Sequence, residues 1–386
     1  MKHKKNIVIL FIVLTYILSS CISGFETPEN MKDLSGLLVV EGVILEEGTR
    51  ISLSRTVKLN EEFSQNYLFE GVNNAAIHII DENHNIIAVA EQYEWGKYIV
   101  NERFSFVSGM KYALDIQVAG KRYQSDFVQP VTTPAIDEIN WKLNADNSID
   151  ISVSTHSPDN ETLYCLWTFE ENWEIRSRYF APLRFNPMTD ALIPQSITGD
   201  NRYYCWGKAY SQSFLLASTE KFRDAIIKDY KIHTLHPWNS RFSYLYSITV
   251  SQYSLNKEAS LYFSNLQRNI DESGTLFAPQ PSEIRGNIRN MFTPDEPVFG
   301  YIYASKVAQS RLFINMIEFG LDKFDESFVC TETDEFRDPR SAYFMGYRIC
   351  RVDNGQYYYA YHQCVDCTER QFNSKIKPDF WPNDHQ

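Results

Sequence analysis

The chain is poor in several things, and each lack narrows what it can be. After residue 20 no hydrophobic run approaches the roughly 20 residues a helix needs to span a bilayer, which excludes a bundle of membrane helices. Cysteine is missing between Cys21 and Cys165, so no disulfide closes within the first third of the chain. Positive charge is scarce: 37 Lys and Arg stand against 49 Asp and Glu, a net charge of −12. A surface of that sign repels polyanions, which argues against nucleic acid as a partner. No GxSxG, HExxH, P-loop or GxGxxG pattern occurs. Nothing therefore points to a nucleophile elbow, a zinc hydrolase or a bound nucleotide, and no cofactor or metal is expected.

What is present begins with an address. Lys2, Lys4 and Lys5 make a basic start, and Ile7 to Leu18 is an apolar run of twelve residues. That run is too short to cross a bilayer but fits the core of a secretory signal peptide. Leu18-Ser19-Ser20-Cys21 follows it and resembles a bacterial lipobox. Its small residues let the signal peptidase approach, and the Cys21 thiol takes the diacylglycerol. Ser23, two places after the cysteine, favours the outer membrane. Three acyl chains on Cys21 exceed the two signals that stable anchoring requires. The expectation is a lipoprotein held in the outer-membrane bilayer through acylated Cys21, with the cell surface favoured over the periplasmic face.

Removing residues 1–20 leaves 366 residues, more than one small core usually takes, so two modules are expected. The mature chain then has 34 Lys and Arg against the same 49 acids, near −15. Aromatic residues make up 15% of the chain, with 24 Tyr and 25 Phe, and aromatics favour strands. Residues 21–36 are polar and without period, as a lipid-anchored tether would be. From Leu37 short runs alternate between apolar and polar residues and are separated by turns every eight to twelve residues. Ile51 and Leu53 point one way and Ser52 and Ser54 the other; Tyr112 to Val118 alternates as cleanly. This predicts a β-sandwich over 37–134, immunoglobulin-like or transthyretin-like. Residues 135–386 read as a larger β-rich α+β domain with a disulfide-linked tail. Its clearest helix is Asn256 to Ile270, where Ala259, Tyr262, Phe263, Leu266 and Ile270 fall at helical spacing. The fold class is mainly β with some α.

With Cys21 committed to lipid, six cysteines remain: Cys165, Cys205, Cys330, Cys350, Cys364 and Cys367. An even number in an exported chain points to disulfides. Cys165–Cys205 is the expected pair in the second module, and the other four would staple the tail in one of three connectivities. Cys364-x-x-Cys367 is also half of a zinc site, with Cys330, Cys350 and His362 available, but a single CxxC is a weak signal. Asp81-x-Asn83-x-Asn85 resembles the start of a calcium loop. It has Ile86 where the loop needs glycine, so a hairpin turn is expected. His233 and His236 read as a turn or surface pair. Glu170 and Glu171 are adjacent acids, which on a strand point to opposite faces.

Several segments together carry a family likeness. They are the lipobox, Leu38-Val39-Val40-Glu41-Gly42, Gly109-x-x-Tyr112-x-Leu114-x-Ile116 with Tyr123-x-Ser125, and Pro134-x-Ile136-Asp137-x-Ile139-x-Trp141. Later come Cys205-Trp206, Gly274-x-Leu276-Phe277-x-Pro279-Gln280-Pro281, Gly286-Asn287-Ile288 and Gly300-Tyr301. The last are Cys364-x-Asp366-Cys367 and Lys377-Pro378-Asp379-Phe380-Trp381. The chain resembles the domain-of-unknown-function 4249 lipoproteins of Bacteroidetes. The resemblance implies a gene neighbour that is a TonB-dependent outer-membrane β-barrel receptor, and so an accessory or binding role in nutrient uptake at the cell surface. It carries over no catalytic residue. The alternatives are a surface enzyme acting on glycans or peptides, and an adhesive or structural surface protein. Gly286, Asn287 and Gly300 read as turn residues, and Phe380 and Trp381 as an apolar end docked on the second module.

Overall fold

The computed structural model describes residues 36–57, 70–196, 202–237, 240–242, 244–272, 285–320, 330–370 and 373–382. The expected signal peptide, Cys21 and the tether up to Ser35 lie outside them. The protein is mainly β. Among the described residues no helix is long and apolar enough to cross a membrane.

The first module holds β1 (Leu38–Ile44), β2 (Arg50–Arg55), β3 (Glu70–Gly71), β4 (Ala76–Asp81), β5 (Ile86–Glu94), β6 (Lys97–Ile99), β7 (Tyr112–Val118) and β8 (Lys121–Ser125). Alternation sets their faces: Leu38, Val40, Ile51 and Leu53 are buried while Ser52 and Ser54 are only half so. The strands form one continuous path that turns a corner in β5, whose first half pairs with β4 and whose second half pairs with β6. Both halves of the path close on one core, which joins Leu38 and Leu53 to Ile77, Leu114, Ile116 and Tyr123. The Asp81–Asn85 segment is the expected hairpin turn. The Asp81 carboxylate accepts from the backbone of Asn83 (2.9 Å) and Asn85 (2.8 Å) and from the Asn85 side chain (2.9 Å).

The second unit begins with β9 (Ile136–Leu143), β10 (Ile149–His156), β11 (Tyr164–Arg176), β12 (Leu183–Asn186), β13 (Ala191–Pro194), β14 (Tyr204–Tyr210), β15 (Leu215–Ser218), β16 (Ile226–Leu235) and β17 (Leu245–Ser254). Then follow α1 (Lys257–Glu272), β18 (Ile288–Asn290), β19 (Tyr303–Ala304) and β20 (Val307–Asn315). The sheet β16-β10-β9 faces the sheet β14-β11-β17-β20 across a shared core of Ile151, Val153, Trp167, Ile232, Ile248 and Val250. Strand β11 is the rail of this sandwich, pairing with β17 along one edge and with β15 and β14 along the other. The helix expected at Asn256–Ile270 is α1. Asn256 caps it by accepting from the Ala259 amide at 2.8 Å. Its apolar face, Ala259 and Phe263, packs with Leu166 of β11 and Tyr303 of β19, against which Val43 of β1 also sits. The helix therefore lies at the seam between the two units.

Placing all of 135–386 in the second unit does not describe the chain path. Strand β18 pairs with β8, and β19 runs parallel to β1 with Val43 opposite Tyr303. Residues 286–305 thus return to the first sheet and complete both of its edges. Gly286 and Gly300 are not turn residues but points of close backbone approach. A Cβ on Gly286 would come within 1.8 Å of the Gly300 carbonyl oxygen, and one on Gly300 within 1.9 Å of the Val40 carbonyl oxygen. Gly300 also has φ +121°, a conformation that L side chains rarely adopt. Between them buried Asn287 acts as a strand in miniature: its Nδ2 donates to Ile302 O (2.7 Å) and its Oδ1 accepts from Ile302 N (2.8 Å).

The tail carries α2 (Pro339–Phe344), β21 (Tyr347–Asp353), β22 (Gln356–Tyr361) and α3 (His362–Val365). Trp381 is 3% exposed and packs with Trp206 and Leu245, with Phe313 edge-on at 5.8 Å. Phe380 lies beneath the Arg311 guanidinium, 3.2 Å from the ring centroid. The terminal aromatic pair docks on the second unit, as its composition predicts. The return segment yields the first test. Gly300→Ala should lower the unfolding free energy by about 3 kcal/mol or more, through strain and a carbonyl clash. Urea denaturation of the variant measures this, and an unchanged midpoint would contradict the close approach.

Candidate functional site

The cysteines organise the part of the molecule that has a cleft. Cys205 bonds to Cys367, 162 residues away, and Cys330 bonds to Cys364. The expected Cys165–Cys205 bond does not form. In the pairing of β11 with β14, Cys205 lies opposite Ile175, ten residues along β11 from Cys165. At a strand rise of about 3.3 Å per residue that is roughly 33 Å, far beyond the 7 Å a disulfide tolerates between Cα atoms. Cys165 and Cys350 are free and buried, and burial pushes both thiols up to about 12. Thiols so placed are inert packing residues. The two cysteines of Cys364-x-x-Cys367 leave in different directions, so the motif is a junction of two bridges. Among the described residues no group of three or more His, Cys, Asp or Glu is placed to hold a metal ion.

Other contacts reinforce the bridges. Arg202 donates to Asp366 Oδ2 at 2.7 Å, and its carbonyl accepts from the Cys367 amide at 2.9 Å. The Tyr179 hydroxyl donates to Cys330 O, and the Tyr179 amide to Cys364 O, each at 3.0 Å. The tail is thereby fixed to the segment leading into β14 and to the loop before the β12–β13 hairpin. Between hairpin and tail opens a cleft of ≈ 180 Å³. Phe185 and Arg184 of β12 line it together with Tyr343 of α2, Tyr347 and Arg348 of β21, and Tyr359 of β22. Arg202, Asp366 and Glu369 complete its polar lining. Phe185 and Tyr343 meet at 5.5 Å between ring centroids.

A second polar cluster lies inside the sandwich, where the core-facing row of β11 ends in Glu171. That carboxylate is 2% exposed. It accepts from the Tyr246 hydroxyl at 2.9 Å and stands 3.1 Å from His233 Nε2 and 3.4 Å from Arg241 Nη2. Arg241 in turn covers the Trp173 ring at 4.8 Å. His233 is therefore no surface group; it comes from β16 in the opposite sheet, so the cluster pins the two sheets together. Glu170, on the other face of the strand, meets Lys208 at 3.0 Å near solvent, and the two adjacent acids point apart as expected. Glu174 is buried on that other face and is held by Arg176 at 2.6 Å, whose guanidinium lies over Tyr244 at 4.3 Å.

A family model described as Domain of unknown function (DUF4249) matches residues 25–311. The chain belongs to the DUF4249 family. Among curated proteins nothing matches. The DUF4249 match takes in the first module, the sandwich and the β12–β13 side of the cleft. It ends within β20, so the tail side of the cleft and the motifs Cys364-x-Asp366-Cys367 and Lys377 to Trp381 lie beyond it. No motif marks Arg348, Tyr343 or Tyr359 as cleft residues. The one legible hint is the aromatic run Tyr357 to Tyr361, which alternates within a strand that sequence alone leaves unassigned.

Two tests follow from these arrangements. In a Cys21→Ser variant, thiol titration in denaturant without reductant should count two thiols, Cys165 and Cys350. Cys205→Ser should cost about 5 kcal/mol, because the bridge closes a very long loop; four or more thiols in the first assay would refute the pairing. The Glu171 carboxyl gives a pH test. Burial alone would raise it, but His233, Arg241 and Tyr246 overcome that and hold it below its ordinary value of 4.5. A depressed carboxyl stabilises the fold above that value and loses the contribution as pH falls through the folded-state titration. The melting-temperature advantage of wild type over Glu171→Gln should therefore shrink between about pH 5 and about pH 3. An advantage independent of pH would show that the carboxylate charge contributes nothing.

Proposed function

We propose that this protein is an outer-membrane lipoprotein, anchored through acylated Cys21, that serves as an accessory binding component of a TonB-dependent nutrient uptake system. The observation that carries the reading is the cleft. It is concave, walled by aromatic rings and arginines, and held in shape by two disulfides, as a binding site of fixed geometry requires. The lipobox-like Leu18-Ser19-Ser20-Cys21 supports the anchoring, and membership of the DUF4249 family supports the expected neighbourhood of a β-barrel receptor. A surface enzyme would call for acids converging on open space. The most buried acids of the second unit, Glu171 and Glu174, are held in internal ion pairs instead. An adhesive surface protein would use exposed faces rather than an enclosed cleft.

The test is made in intact cells. Crosslinking through an affinity tag at the C-terminus should capture an outer-membrane β-barrel protein with the wild-type chain. Cys21→Ala should abolish both the capture and the sedimentation of the chain with outer membranes. Recovery of the wild-type chain without any barrel partner would overturn the reading.

A further inference from the structure

The cleft also specifies a ligand chemistry, and this inference deepens the binding reading above. It starts from Tyr359, which lines the cleft, is 1% exposed and packs edge-on against Phe336 at 5.5 Å. Its hydroxyl makes no hydrogen bond within the protein. Native structures pair nearly all such groups, so an orphan hydroxyl at a cleft marks a place for something else to accept from it. Burial pushes the phenol up to about 12, which keeps it a neutral donor at physiological pH.

Arg348 supplies the second donor. Its guanidinium lies on the Tyr343 ring at 4.1 Å, and Nη1 donates to the carbonyls of Tyr343 (3.2 Å) and Tyr347 (3.0 Å). The head is thus oriented by backbone and by an aromatic face. Its one acidic neighbour, Glu369, is 3.7 Å from Nη2, beyond hydrogen-bond distance. A planar guanidinium oriented in this way presents donors that fit a carboxylate. The lining as a whole carries three arginines, Arg184, Arg202 and Arg348, against the two carboxylates of Asp366 and Glu369. That is a reversal of sign in a chain of net charge −12.

Size and walls restrict the rest of the ligand. A cavity of about 150 Å³ admits benzene, and this cleft has ≈ 180 Å³. Phe185, Tyr343 and Tyr347 offer ring faces and edges, which favour stacking with a flat apolar body. We infer that the cleft binds a small planar carboxylate, a single ring bearing one acid group, with Arg348 and the Tyr359 hydroxyl as its donors.

Calorimetric titration of the detergent-solubilised mature protein tests this with benzoate, and with benzamide as the neutral probe of the same shape. Benzoate should bind saturably at one site per chain, and benzamide at least tenfold more weakly. Tyr359→Phe keeps the ring and should weaken benzoate binding about tenfold, the usual effect of losing a hydrogen bond to a charged group. Its melting temperature should not fall, which separates a lost contact from a lost fold. Arg348→Gln should weaken benzoate more; Tyr359→Phe alone decides the matter if that variant does not fold. No benzoate binding, equal binding of benzoate and benzamide, or full affinity in Tyr359→Phe overturns the inference. The titration contains no receptor, so its failure leaves the crosslinking result standing, and a failed crosslink leaves the ligand chemistry standing.

Discussion

The bond between Cys205 and Cys367 is the constraint on which the functional half of the molecule depends. Cys205 lies on β14, an outer strand of the sandwich, and Cys367 begins the last helical turn of the tail. Hydrophobic burial alone gives the tail little to hold. Its own cluster around Ala342, Ile349 and Tyr359 is small, and its long polar hairpin needs an external frame. The bridge supplies that frame next to the Arg202–Asp366 pair, and the docking of Trp381 on Trp206 secures the chain beyond it. Cys330–Cys364 then fixes the near end of the tail under Tyr179. Three attachments along a short stretch hold the cleft lining at a set distance from the β12–β13 hairpin. This is the condition for a preorganised site.

Strand β11 transmits that frame to the core. Its core-facing row runs Cys165, Trp167, Phe169, Glu171, Trp173 and Ile175, from an apolar interior to the Cys205–Cys367 bridge. The polar member sits where the two sheets need a specific contact. A buried carboxylate is a poor source of net stability, since desolvation opposes the attraction. It does define one arrangement, because His233 must come from β16 and Tyr246 from β17 for the charge to be matched. Gln252 works in the same way nearer the first module. It accepts from Trp167 Nε1 (2.8 Å) and donates to Pro134 O (2.9 Å) and to the Thr155 hydroxyl (3.1 Å). The linker between the modules is thereby tied into the sandwich core.

What was legible in the sequence followed the range of the signals involved. Strands of the first module, helix α1 and the hairpin at Asp81 are set by local alternation, helical period and turn chemistry, and all stand where the pattern puts them. The cleft is assembled from segments more than 130 residues apart in sequence, Phe185 beside Tyr343 for example, and no local period encodes such a contact. Cysteine count gave the existence of disulfides but not their partners, because pairing depends on strand register. Cys165 and Cys205 are on neighbouring strands and still far apart. His233 misled for a related reason: a histidine close to a turn reads as exposed until the opposing sheet, with Glu171, is in place.

The return of residues 286–305 changes what a module boundary means in this chain. Read along the sequence, the first unit ends near Pro134; read through hydrogen bonds, its sheet lacks both outer strands until β18 and β19 arrive. An unpaired edge is exposed to wrong partners, and here each edge is covered by the protein's own later sequence. The cover is specific because only glycine fits at 286 and 300, and because the Asn287 side chain imitates a backbone pair. Long-range pairing of this kind makes folding of the first sheet wait for the second unit. It also makes the seam rigid, since α1, β1 and β19 share one apolar cluster there. The cleft and the start of the first module, from which the chain leads back to Cys21, are then parts of a single connected body.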